Sequence, residues 1–317
     1  MDAGPDIAKR SLVFSRIFDA PRELVFEAFT TAEHLARWWG PNGFTITTEK
    51  FEFRVGGKWH LVMHGPDGRD YQNYVTFDEI DRPRKLVFHH DSDEAGLEPM
   101  HHGTTVLFEE IGSRTKVTFS LIFTSAEMRD MVVREYKADE GGLQTLGRLA
   151  EVLVADQLLI TRRIKAPRAL VWKAHSELEH LKAWWGPKGL VWLSGSLDFR
   201  PGGKFHYGMK TPDGQEMWGR FMYHEIQAPE RIAFVNSFSD AQGGITRAPF
   251  APNWPLEVYN EISLVEDGNE TIFTLRGGPL NATQEERTKF RSFFGSMQGG
   301  FSATYDQLDM YLEKLSG

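Results

Sequence analysis

The sequence predicts an α+β protein made of two tandem copies of one domain, each an antiparallel β-sheet curled around a long C-terminal helix with two short helices near its start. Three observations carry that expectation. Short motifs recur in the same order at one fixed spacing. Between them lie alternating apolar and polar runs bounded by turn chemistry, which is the period of strands. Each copy ends in a helical segment, clearest in the second as the stripe Phe290, Phe294, Met297, Phe301, Tyr305, Leu308 and Leu312.

The repeat is read directly. Ala20-Pro21-Arg22 returns as Ala166-Pro167-Arg168, and Trp38-Trp39-Gly40-Pro41 as Trp184-Trp185-Gly186-Pro187. Phe53-Arg54-Val55-Gly56-Gly57-Lys58-Trp59 returns as Phe199-Arg200-Pro201-Gly202-Gly203-Lys204-Phe205. Pro66-Asp67-Gly68 matches Pro212-Asp213-Gly214, and Glu79-Ile80 matches Glu225-Ile226, all at an offset of 146 residues. The offset then grows by ten, so that Thr115–Phe119 meets Thr271–Leu275. The extra residues fall in the Gly/Pro-rich stretch Ser237 to Pro255, which reads as a long loop of the second copy only. The boundary falls near Val154–Asp156, giving domains over residues 1–155 and 156–317.

Within the first copy, Leu12 to Asp19 reads as a strand. Pro21 opens a short helix through Phe29 at the first helical position, where proline is tolerated because its missing N–H is not needed. Glu33 to Trp38 is a second short helix stopped by Gly40-Pro41. Strands follow at 44–54, 58–64, 71–80, 85–90, 105–110 and 116–123, with Pro66-Asp67-Gly68 and Gly112-Ser113 as turns. One helix from Glu127 to Leu153 closes the copy. Gly141-Gly142 and Gly299-Gly300 interrupt the closing helices at matching places. Each glycine costs about 1 kcal/mol against alanine, which either close packing of helix on sheet or a bend that opens the cavity must offset, and close packing is the expectation at both.

Composition narrows the function. Acidic residues outnumber basic ones, 44 to 36, and the net charge is −8, a balance that repels phosphate backbones. There is no cysteine, hence no disulfide or thiolate chemistry. No stretch has membrane-spanning length, and the N-terminal apolar run is too short for a signal peptide. A cytoplasmic protein without nucleic-acid or membrane partners is expected. Gly56-Gly57 and Gly202-Gly203 lie between strands with no helix start behind them, so they are turns and not phosphate cradles.

The strand and helix order, taken with Trp-Trp-Gly-Pro and Gly-Gly-Lys-aromatic, resembles the SRPBCC (START-like) superfamily. Within it, the branch of the activator of heat-shock-protein-90 ATPase C-terminal domain is the most similar. The resemblance covers both copies. It implies a helix-grip fold, in which a curved seven-stranded sheet grips the terminal helix around a hydrophobic cavity. It also implies binding of small apolar or amphipathic molecules, with catalysis of cyclase or hydrolase type in some members and a chaperone partner as a lesser expectation.

Strand phase names the candidate site. Leu86, Phe88 and His90 share one face, and Ile232, Phe234 and Asn236 share its equivalent. Trp59 and Met63 face the same interior in copy one, as do Phe205, Tyr207 and Met209 in copy two. One tryptophan of each pair is expected in the core and the other, Trp39 or Trp185, at the cavity. Phe294 and Met297 are the expected contribution of the second closing helix. His90 is the one proton carrier among these residues, whereas Asn236 only hydrogen-bonds. The cluster His89, His90, His101, His102, Asp91 and Asp93 lacks the spacing of a metal centre. Neither a metal nor a cofactor is expected.

Overall fold

A computed structural model describes residues 5–91, 102–112 and 114–316. The first domain, within Met1–Ala155, opens with a short helix α1 (Pro5–Lys9) and strand β1 (Ser11–Phe18). Helices α2 (Arg22–Glu27) and α3 (Ala32–Leu35) then carry the chain to the opposite edge of the sheet. From there β2 (Thr45–Phe51), β3 (Lys58–His64), β4 (Asp70–Asp81), β5 (Lys85–Asp91), β6 (His102–Ile111) and β7 (Arg114–Phe123) meander back until β7 pairs with β1. All seven strands are antiparallel, in the order β1-β7-β6-β5-β4-β3-β2. Bulges at Thr48/Lys50 and Phe77/Glu79 bend the sheet. Ser113, His101 and Asp93 lie outside the described residues, as does the side chain of Asp91.

The second domain, within Asp156–Gly317, repeats the plan. It comprises β8 (Leu158–Ile164), α6 (Arg168–Ser176), α7 (Leu178–Trp184), β9 (Val191–Leu197), β10 (Lys204–Lys210), β11 (Glu216–Gln227), β12 (Arg231–Ser239), β13 (Glu257–Asp267) and β14 (Glu270–Leu280). Its strand order is β8-β14-β13-β12-β11-β10-β9. Pro21 stands one residue earlier than expected, at the N-cap of α2, and Pro167 holds the same place before α6. The glycine turns are equivalent. Gly56 and Gly202 have φ of 73° and 77°, and a Cβ on Gly57 or Gly203 would strike the carbonyl of Glu52 or Asp198.

The closing helix is not continuous in either domain, which corrects the sequence reading. In the first it divides into α4 (Ala126–Tyr136) and α5 (Ala138–Ala155). Lys137 stands between them in the left-handed region, φ 49°, and its N–H closes the end of α4 on the Val133 carbonyl. In the second, α8 (Gln284–Ser292) and α9 (Phe294–Ser316) are separated by Phe293, whose N–H turns back to the Phe290 carbonyl. The stripe stays in phase across the break because the chain resumes a helical path at once, so apolar spacing alone does not register it.

Each sheet buries its inner face against the last helix. In the first domain Trp59, Leu61, Val75, Phe77, Leu86, Phe88, Val106 and Phe108 meet Leu146, Leu149 and Leu153 of α5. Full burial of such side chains contributes roughly 1.5–3 kcal/mol each. The second domain has a matching core, with Phe205, Phe234, Ile262 and Phe273 against Tyr305, Leu308 and Leu312 of α9. It also carries a further cluster, in which Ala248, Ala251 and Trp254 of the long loop pack on Leu158, Val258 and Phe290.

The helix glycines divide between the copies. A Cβ on Gly142 would lie 2.5 Å from the Phe14 ring, and one on Gly141 3.2 Å from Pro41, so close packing holds in the first domain. Gly299 and Gly300 face nothing within 4 Å, and the expectation fails there. At the Phe14 position the second copy has Ile160, which packs in one cluster with Phe301. No helix among the described residues is long and apolar enough to cross a membrane.

Candidate ligand-binding face

The tryptophan pairs divide their work alike in both domains. Trp38 is 0% exposed and its indole N–H donates to the Ala28 carbonyl at 3.0 Å. Trp184 does the same with Ala174 at 2.9 Å. Their neighbours are half-buried and turn onto the sheet. The Trp39 ring lies 4.9 Å from Trp59 and 6.3 Å from Phe88, and the Trp185 ring 5.3 Å from Phe221 and 6.1 Å from Tyr207.

The loop behind each pair is tied to the closing helix by residues that sequence reasoning missed. Arg148 of α5 aims one Nη1 at the carbonyls of Gly40, Pro41 and Phe44, each at 3.0 Å, and of Trp39 at 3.4 Å. Two N–H bonds are thus shared among four acceptors. Burial holds its pKa below the ordinary arginine value, with Glu151 opposing. In the second domain Gln307 and Thr304 of α9 donate to Gly186 instead. A polar helix residue gives no sequence sign of such a role.

Along the inner face of the first domain, burial falls off in one direction on β3 and β5. Leu86 and Phe88 are buried and His90 is half-buried. Trp59 and Leu61 are buried and Met63 is half-buried; on β7, Val117 and Phe119 are buried and Leu121 is half-buried, while Phe123 beyond it is buried again. Side chains also become polar toward that end. His90 pairs with His102 across β5 and β6, their rings stacked 4.1 Å apart at 20°. His90 lies 5.9 Å from Phe88, and His102 5.1 Å from Phe123. Next on β6, the Thr104 hydroxyl is buried without a hydrogen-bond partner among the described residues. His89 points the other way and pairs with Asp78 at 2.8 Å. Among the described residues no three His, Asp or Glu converge as metal ligands.

The second domain places Phe205, Met209 and Phe234 in buried positions, with Tyr207 and Asn236 half-buried. Asn236 is opposite Phe221 on one side and Val258 on the other. Burial pushes the Tyr207 phenol up to about 12, with the neighbouring Trp185 indole opposing. Met209 fills the space where a Cβ on Gly186 would stand. Phe294 and Met297 do not join Phe205 and Tyr207. They pack in the cluster under the long loop, with Trp254 and Phe290. A surface groove of about 390 Å³ along α8, with Asn253, Glu285 and Lys289 on its walls, includes none of the expected residues.

Two further residues were missed. His175 on α6 is 5% exposed, and its Nδ1 donates to the Val171 carbonyl at 2.8 Å. Burial lowers its pKa to about 4, with that bond opposing. Tyr305 on α9 is 1% exposed, and burial pushes its phenol up. A signal existed: at the repeat offset His175 stands where the first copy has Phe29, a core position.

Comparison with known proteins bears on this arrangement. A family described as activator of Hsp90 ATPase homolog 1-like protein matches residues 19–154 and again 165–313. A protein from Arthrobacter aurescens of solved structure is 31% identical over 47% of this chain and 88% of its own, with a TM-score of 0.43. Protein Ms6760 from Mycobacterium smegmatis is 25% identical over 50% of this chain and 92% of its own, TM-score 0.43. The di-domain ARO/CYC BexL of the BE-7585A biosynthetic pathway is 15% identical over 96% and 99%, TM-score 0.36. A comparison with curated proteins finds no match. Two tandem matches, spanning most of the chain, show that it belongs to the family of activator of Hsp90 ATPase homolog 1-like proteins.

Proposed function

We propose that this protein binds a small amphipathic molecule between the inner sheet face and the closing helix, with the first domain as the principal site. The observation that supports the reading is the inner face of that domain. On β3 and β5 it passes from fully buried apolar side chains to half-buried ones, with His90 and His102 at the half-buried end and the buried Thr104 hydroxyl one pair further in, beside Phe88. The apolar part of the ligand lies against Trp39, Met63 and Phe88, and its polar part faces the histidines. Concave apolar surfaces with a few convergent polar groups are the usual build of small-molecule sites.

The test is native mass spectrometry of protein purified from its own host. A bound mass lost on Met63→Trp, which fills the half-buried end, supports the site. Ligand-free protein whose Trp39 fluorescence ignores a panel of amphiphiles refutes it.

The stacked histidines favour a second reading, proton transfer on a carbonyl-bearing ligand. His90→Asn reproduces the residue of the second copy, and should abolish turnover while leaving binding largely intact. The family description names the Hsp90 ATPase. Stimulation of that ATPase by the purified chain would move the reading from a small molecule to a chaperone.

A further inference from the structure

We infer that the core of the second domain is built around one neutral hydroxyl oxygen held between Nε2 of His175 and the hydroxyl of Tyr305. Both atoms are buried, and neither has a hydrogen-bond partner among the described residues. Their rings belong to one cluster: Trp184 lies 4.9 Å from His175 and 5.7 Å from Tyr305, and Phe273 lies 5.8 Å and 4.4 Å from them. The two rings are 6.4 Å apart at 29°, and the polar atoms do not bond one another directly. A buried polar atom left unpaired carries its full desolvation penalty, so a partner is required.

The chemistry of the two atoms selects that partner. A carbonyl only accepts, so the bond to Val171 places the proton on Nδ1 and leaves Nε2 as an acceptor. The guest must therefore donate to Nε2 while accepting from the Tyr305 O–H. A carbonyl cannot donate, an ammonium cannot accept, and a carboxylate would bring an unpaired charge into an aromatic core. A hydroxyl oxygen meets both demands. Water and the hydroxyl of a bound molecule share this chemistry. The first domain has Phe29 and Leu146 at the equivalent positions, so the site belongs to the second domain and stands apart from the ligand reading of the first.

Nitrogen-15 NMR of the labelled full chain, before and after unfolding and refolding in fresh buffer, reads the site on unmodified protein. The expected result is a neutral His175 with its proton on Nδ1 and a hydrogen-bonded Nε2. Persistence after refolding, with a nuclear Overhauser effect to water, identifies the guest as water. Loss after refolding identifies the hydroxyl of a bound molecule. A proton on Nε2, or an unbonded Nε2 in both preparations, overturns the inference. Melting of His175→Phe, Tyr305→Phe and the double variant supplies the second measurement. The double change should lower the melting temperature by less than the sum of the single changes, because each single change already removes the guest. Additive shifts overturn the inference.

Discussion

Lowering the pH should destabilise the second domain through His175 alone by an amount that can be worked out. In the folded chain the ring is buried against Trp184, Phe273 and Tyr305, and its pKa falls from 6.5 to about 4. Tyr305, the titratable group of that set, stays neutral throughout the acid range. Above pH 6.5 neither the folded nor the unfolded chain protonates His175. As pH falls below 6.5 the unfolded chain takes a proton that the folded chain refuses, so stability drops until about pH 4 and then levels off. At about 1.4 kcal/mol per unit, the full loss is about 3 kcal/mol, or roughly 10 °C in melting temperature for a domain of this size. Thermal unfolding of the full chain between pH 7.5 and 4, with and without His175→Phe, isolates the contribution. The difference in melting temperature between the two proteins should change across that window and stay flat above it. A constant difference from pH 7.5 to 4 would refute the reasoning, because it would mean that the imidazole titrates alike in both states.

Other outcomes follow from packing. Trp59→Ala and Phe205→Ala remove rings that are 2% and 0% exposed, and each should cost its own domain about 3–5 kcal/mol in denaturant unfolding. Gly142→Ala drives a methyl into the Phe14 ring and should destabilise by about 1–3 kcal/mol. Gly300→Ala meets nothing within 4 Å and should stabilise by about 0.5–1 kcal/mol, a change of opposite sign. Arg148→Met frees four carbonyls and should cost about 2 kcal/mol, with a shift in Trp39 fluorescence as the loop loosens.

What was legible in the sequence was whatever has a period. Strand alternation correctly set Leu86, Phe88 and His90 on one face, because a strand turns its side chains by half a revolution at every step. The split roles of Trp38 and Trp39 follow from adjacent positions at a helix end. The breaks at Lys137 and Phe293 were not legible. A single residue in another backbone region shifts the helix without disturbing the apolar spacing on either side. Arg148 was hidden for a different reason, since its partners are backbone carbonyls that no side-chain pattern records. His175 escaped because histidine is ambivalent, and what gives it away is that it holds the position of Phe29 in the repeat. Phe294 and Met297 were drawn from a true stripe. Which part of a long stripe meets the sheet and which part meets a loop is decided by tertiary packing, however, and here the long loop claimed that end.

That loop has a consequence for how the two copies can change from here. Closing a longer loop costs little, since the entropy grows only with the logarithm of its length. Had it remained a solvated excursion, it could be lost again as easily as it was gained. Instead Trp254 and Ala251 now cover Leu158, Val258 and Phe290, and Arg247 pairs with Glu286, which completes the capping box of Thr283 at the start of α8. Removing the loop would strand apolar surface on three separate elements and leave a carboxylate half-satisfied. The insertion works as a ratchet. Its length costs little to close and its removal costs buried packing, so a shortened second copy would be a damaged domain and not a copy of the first.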